Sequence, residues 1–251
     1  MLVFSKRQNL MIISLFFLII IGLYVDTVAF QIAFWWCLFI LLNGNIKRLW
    51  NDKSKLYVIR LTMYFFPYMI PSIFFTKQKM LHEFNIIYLI LALFFGGIIH
   101  VFEKNKWKIE FSKYNLAQVK KKPQLTWILR CYCLIGTTIA EELFFRYYLL
   151  TQSRNYFLLF AFIGLILFVL NHYIVLWGDN FRKTDYIRQI YVGLVASALF
   201  YSSKSIIPSI LFHLIFNAFS IAQIVMAFIR HYILKSYYDG IENEEEFLIE
   251  I

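Results

Sequence analysis

Eight apolar runs, separated by short polar segments, restrict what this chain can become. They cover Leu10–Val25, Thr27–Leu42, Leu56–Phe75, Asn85–Phe102, Trp127–Leu150, Tyr156–Trp177, Tyr186–Ser202 and Ile207–Leu234. Several reach the roughly 17–25 residues that a helix needs to cross a bilayer, whereas membrane strands need only about 9–11 residues of alternating polarity. Of the 251 residues, 61% are hydrophobic and 16% charged. A soluble domain has about 45–50% apolar and about 25% charged residues, so one water-soluble core cannot hide this much apolar surface. The expected fold is an all-α, polytopic transmembrane bundle of about eight helices. Lys6 and Arg7 ahead of the first run resemble the start of a signal peptide, but no small-residue cleavage site follows, so that run is read as a retained helix.

The net charge of +10 raises nucleic acid as a partner. The Lys and Arg residues sit between apolar runs, however, as topology signals do. Membrane lipids are the expected partner of the basic side, facing an anionic leaflet, and nucleic acid is not expected. With the N-terminus inside, the outer segments carry only Lys77, Lys79, Arg154 and Lys204, against seventeen Lys and Arg on the inner segments. This bias predicts N-in and C-in in a multi-pass cell membrane protein. Four regions follow: helices without a recognisable motif over 1–102, a basic cytoplasmic loop over 103–126, a helical core over 127–235 that holds the intramembrane polar residues and an acidic tail over 236–251. Cys37, Cys131 and Cys133 lie inside apolar runs and read as small buried hydrophobes, with no disulfide spacing.

The side chains that carry chemistry lie after the basic loop. Ala140-Glu141-Glu142-Leu143-Phe144-Phe145-Arg146 puts three charges inside an apolar helix, where each costs at least about 2.5–3.5 kcal/mol on insertion scales unless it is paired or used. Glu142 and Arg146 are four apart, share a face and can form an ion pair. Glu141 points about 100° away from Glu142 and addresses a different neighbour. A desolvated, incompletely paired carboxylate suits a general base; a buried polar knot that fixes packing is the other reading of these three residues. The next helix ends in Phe168-Val169-Leu170-Asn171-His172, and the last run holds His213-Leu214-Ile215-Phe216-Asn217. His213 and Asn217, at i and i+4, project from one face, where they can also simply join helices by hydrogen bonds. A carboxylate, two imidazoles and an amide in an apolar setting are the parts of a water-activating hydrolase.

Glu-Glu-x-x-x-Arg, Phe-x-x-x-His and His-x-x-x-Asn, in that order, resemble the CPBP family of intramembrane peptidases. That family contains the CAAX prenyl endopeptidases and bacterial proteins tied to bacteriocin maturation and immunity, often called Abi. The residues that carry the resemblance are Glu141, Glu142, Arg146, Phe168, His172, His213 and Asn217. The resemblance implies that Glu141 and His172 activate the attacking water and that His213 and Asn217 donate to the oxyanion. Glu142, Arg146 and Phe168 would support them. It implies no catalytic metal; zinc on Glu141, His172 and His213 is the alternative, although no His-Glu-x-x-His spacing is present.

The expected function is therefore an intramembrane glutamate endopeptidase acting on a peptide or membrane-protein substrate, in bacteriocin or signal-peptide maturation or self-immunity. A non-catalytic immunity protein and a proton-coupled transporter are the alternatives. One geometric difficulty accompanies this reading. On straight spans His172 lies near the inner end of its helix and His213 nearer the outer end, a depth gap on the order of 15 Å. Tilt, a re-entrant segment or a break at Pro208 would have to close it.

Overall fold

The computed structural model describes residues 6–49, 57–76, 85–152, 156–177 and 182–234. The acidic tail lies outside the described residues, as do Lys53, Lys55, Lys77, Lys79, Arg154 and Lys235 of the topology argument. All regular structure among the described residues is helical. The elements are α1 (Lys6–Tyr24), α2 (Val28–Leu49), α3 (Tyr57–Met63), α4 (Phe66–Phe74), α5 (Ile86–Phe102), α6 (Lys104–Glu110) and α7 (Lys113–Ala117). They continue as α8 (Gln124–Glu142), α9 (Leu149–Gln152), α10 (Phe157–Asn171), α11 (Lys183–Ser203), α12 (Ile207–Phe216) and α13 (Ala218–Tyr232).

Three expected elements change on folding. Leu56–Phe75 is two helices, because Pro67 in the first turn of α4 has no N–H to continue a helix from α3. The basic segment is partly helical. The chain bends by 69° between α5 and α6, and Ser112 caps α7 by accepting from the Asn115 N–H at 3.3 Å. The last run breaks at Asn217, where α12 and α13 meet at 58°. Pro208 is not the break: it lies in the first turn of α12, where a missing N–H costs nothing.

Length and composition together qualify one described helix, Phe157–Ile174, to cross a membrane, and up to three spans if each bent pair, α5–α6 and α12–α13, counts as one. This is fewer than the eight apolar runs, because Gln8–Tyr24 and Val28–Asn43 are shorter apolar helices, Pro67 divides one run and charged residues interrupt α8 and α11. Large apolar side chains such as Phe16, Leu23, Phe34, Ile90, Phe94, Leu158 and Phe162 are nevertheless exposed. An apolar exterior around a packed interior is what a membrane bundle presents to lipid.

The core centres on a continuous helical rod running from α8 through Leu143–Tyr148 to α9. Leu143–Tyr148 winds as a π-helical turn: the Leu149 N–H reaches back to Phe144 O as well as Arg146 O. All six of its residues are buried, against Phe39 of α2, Tyr68 of α4 and Phe168 of α10. A second π-helical turn, His172–Trp177, extends α10. Helix α5 lies tight against α12, since a Cβ on Gly96 would meet Ile215 Cβ and Phe212 O at 2.9 Å. Small residues permit such close helix approach in membranes.

Candidate active site

The second half of α8 sets the site. Thr138, Glu141 and Glu142 are all buried on it, and Arg146 lies in the π turn that follows. Such turns appear frequently at functional sites, and here both begin at motif residues, directly after Glu142 and at His172 itself. Ser72 of α4 anchors the first by donating to Leu143 O at 2.6 Å.

The expected pair forms: Arg146 Nη1 lies 3.1 Å from Glu142 Oε1, with both side chains almost fully shielded from solvent (2% and 0% exposed). Arg146 Nη2 donates to Val192 O of α11 at 3.4 Å. Its guanidinium carbon sits 4.4 Å from the centre of the Phe168 ring, a cation–π contact that desolvation strengthens. Phe168 is thus more than a marker. Its ring also meets His172 edge-on at 4.6 Å and His213 at 6.0 Å, so one aromatic side chain contacts a residue from each motif.

His213 Nδ1 lies 2.7 Å from Glu142 Oε1, which makes Glu142 the meeting point of Arg146 and His213. Glu142 Oε2 is buried and has no hydrogen-bond partner. Glu141 turns to the other histidine, with His172 Nε2 3.6 Å from its Oε1. His172 Nδ1 is 3.0 Å from Phe168 O. A carbonyl oxygen only accepts, so Nδ1 carries the hydrogen and Nε2 of the neutral ring is an acceptor. Neither atom donates to the other, and a water in the adjoining cavity can donate to both. Asn217 Nδ2 donates to Thr138 Oγ1 at 2.9 Å, and Thr138 in turn donates to Leu134 O at 2.9 Å.

The expected depth gap does not keep the two histidines apart: the Phe168 ring lies 4.6 Å from His172 and 6.0 Å from His213. His213 sits near the C-terminal end of the ten-residue α12. Asn217 terminates α12, its N–H donating to His213 O at 3.0 Å. A cavity of about 230 Å³ is lined by Glu141, His172, His213 and Asn217 together. Toward its charged rim it meets Glu103, Lys106, Asp185 and Arg188, with Arg188 ion-paired to Glu103 across from α11 to the α5–α6 bend.

Zinc held by Glu141, His172 and His213 would require their donors to converge. Among the described residues no three His, Cys, Asp or Glu groups are gathered to hold a metal ion.

Sequence reasoning passed over Thr138, Tyr68 and Asn43. Thr138 was within reach of the helical-face argument, since it lies four residues before Glu142 on α8. Tyr68 and Asn43 come from helices with no recognisable motif, and only packing brings them to the site.

A buried acid, two histidines and an amide around one cavity define a hydrolase-like site inside an apolar helical protein. Residues 123–219 match the family model described as Type II CAAX prenyl endopeptidase Rce1-like, a model of the CPBP/CAAX protease family that the motifs resemble. The match covers all seven motif residues and supports a membrane-embedded endopeptidase. No curated protein matches the chain, and no solved structure does.

Proposed function

We propose that this protein is an intramembrane glutamate endopeptidase that hydrolyses a peptide bond without a catalytic metal. The observation that carries the proposal is the Glu141–His172 arrangement: two proton acceptors 3.6 Å apart on a cavity also lined by His213 and Asn217. A water seated in that cavity against both side chains gives one hydrogen bond to Glu141 and one to His172 Nε2, and turns a lone pair toward the substrate carbonyl. As it attacks, Glu141 takes its proton and the carbonyl oxygen becomes the oxyanion. Asn217 has a second amide N–H beyond the one given to Thr138, and His213 offers its Nε2 edge, as donors to that oxyanion. For Nε2 to donate, the Glu142–His213 pair holds one proton on its shared contact and one on Nε2. The proton then passes from Glu141 to the leaving nitrogen as the C–N bond breaks, giving a carboxylic acid and an amine.

Arg146 and Glu142 act through His213, by fixing its ring. The positive-inside bias favours N-in and C-in, with about eight membrane segments. In a bacterial cytoplasmic membrane, the substrate would be a bacteriocin, signal peptide or membrane protein, processed for maturation or self-immunity.

Purified protein in detergent, incubated in ¹⁸O-labelled water with lipidated peptides and bacteriocin-leader peptides, tests the reading by mass spectrometry. One ¹⁸O atom in the newly formed carboxylate is expected. Intact peptides throughout would favour a non-catalytic immunity protein, and substrate-dependent proton flux in proteoliposomes would favour a transporter.

A further inference from the structure

A groove between the start of α8 and the middle of α13 takes no part in the proposed chemistry. It holds about 420 Å³ and is lined by Trp127, Ile128 and Tyr132 of α8 and by Ile224, Val225 and Phe228 of α13, with no charged side chain among its walls. That volume lies in the range of small-molecule sites.

One end of the groove is basic, and its basic groups are held in place. Lys122 Nζ lies 5.6 Å, and the Arg130 guanidinium carbon 5.4 Å, from the centre of the Trp127 ring. The Tyr232 ring lies 5.3 Å from that of Phe228. Its hydroxyl donates to Lys122 O, which ties the segment before α8 to the end of α13. Lys121 Nζ is 6.0 Å from the centre of the same Tyr232 ring. Among the described residues no carboxylate pairs with Lys121, Lys122 or Arg130. The first turn of α8 has no acid to offset the positive end of its dipole. Burial, and then the neighbouring Arg130, hold the Lys122 ammonium below its usual range. Like charges gathered without a counterion favour an anion from outside.

We infer that this groove binds one anionic phospholipid, with an acyl chain along the α8–α13 cleft and the headgroup phosphate against Lys122 and Arg130. Charge complementarity selects the occupant. A neutral lipid fills the groove and leaves the cations unanswered, whereas a free phosphate answers the cations and leaves the groove empty. An anionic leaflet supplies both parts in one molecule. The site is independent of the peptidase reading, since none of its residues lines the cavity around Glu141.

Native mass spectrometry tests this. The full chain is released from detergent micelles doped with phosphatidylglycerol or with phosphatidylcholine of the same acyl chains, and the retained lipids are counted. Wild type should retain one phosphatidylglycerol at about thirtyfold lower concentration than phosphatidylcholine, about fivefold for each of two cations. Lys122→Gln with Arg130→Gln should remove that preference. Lys104→Gln with Lys108→Gln, an equal loss of charge on α6, should keep it. Val225→Trp fills the groove, leaves the cations in place and should weaken phosphatidylglycerol retention about tenfold or more; it decides the matter if the Lys122 and Arg130 variant does not fold. Equal retention of both lipids by wild type overturns the site, as does a preference that survives Lys122→Gln with Arg130→Gln. A preference lost equally in the α6 variant, or retention indifferent to Val225→Trp, also overturns it, leaving net charge alone. Displacement of the phosphatidylglycerol by an equimolar lipidated peptide would assign the groove to substrate instead.

Discussion

Helices α2 and α8 are of similar length, 22 and 19 residues, and bury opposite things. Among the described side chains of α2 the buried ones are Ala29, Ile32, Ala33, Trp36, Phe39 and Ile40, an apolar stripe at helical spacing. On α8 the buried face ends in Thr138, Glu141 and Glu142. An apolar stripe fits many partners, because lipid tails and apolar side chains offer similar surroundings. A buried charge fits very few, since each needs a countercharge or a hydrogen bond to remain there. The α8 sequence therefore pointed toward its neighbours, whereas the α2 sequence pointed only toward the interior. The two still meet. Phe39 lies edge-on to Phe144 of the π turn at 4.8 Å and packs on Tyr68 at 4.1 Å.

The contrast gives a ranked set of expectations. Arg146→Met strands the Glu142 carboxylate and should cost about 3–5 kcal/mol, read as thermal unfolding in detergent. Adding Glu142→Gln should recover most of that stability without restoring hydrolysis, because His213 has then lost its carboxylate partner. Full recovery of activity in the double variant would mean that the pair only packs. Gly96→Val should follow at about 1–3 kcal/mol through overpacking against Ile215 and Phe212 O. It should also slow turnover, as α12 carries His213. Phe39→Leu on α2 should cost about 0.5–1.5 kcal/mol for its ring contacts with Tyr68 and Phe144 and leave turnover unchanged. A large loss of turnover there would show that α2 positions the π turn. Ser72→Ala, which removes the bond to Leu143 O, should be smallest, about 0.6 kcal/mol for an interhelical hydrogen bond in a membrane protein.

The Glu142–Arg146 pair was legible because it depends only on spacing within one helix, and the resemblance supplied the other motif residues around it. The breaks at Phe65 and Asn217 and the two π turns were not legible. The Leu143–Tyr148 turn is fixed in part by Ser72, 71 residues earlier in the chain, so no local pattern announces it. His213 and Asn217 were expected on one continuous helix. They line the same cavity, but Asn217 does so as the residue that ends α12. The alternative role for the charged cluster, a knot that fixes packing, describes Glu142 and Arg146 well and Glu141 poorly. Glu142 makes the two close contacts, with Arg146 and His213, while Glu141 faces His172 at 3.6 Å, beyond a direct hydrogen bond.

That asymmetry supplies the most direct test. Glu141→Gln and Glu142→Gln change adjacent residues in the same way and are compared with wild type for thermal stability in detergent and for peptide hydrolysis. The account predicts that Glu141→Gln keeps the wild-type unfolding temperature and abolishes hydrolysis, while Glu142→Gln unfolds at a lower temperature because Arg146 is left without its countercharge. Hydrolysis that survives in a stable Glu141→Gln protein would contradict the central claim that Glu141 is the base.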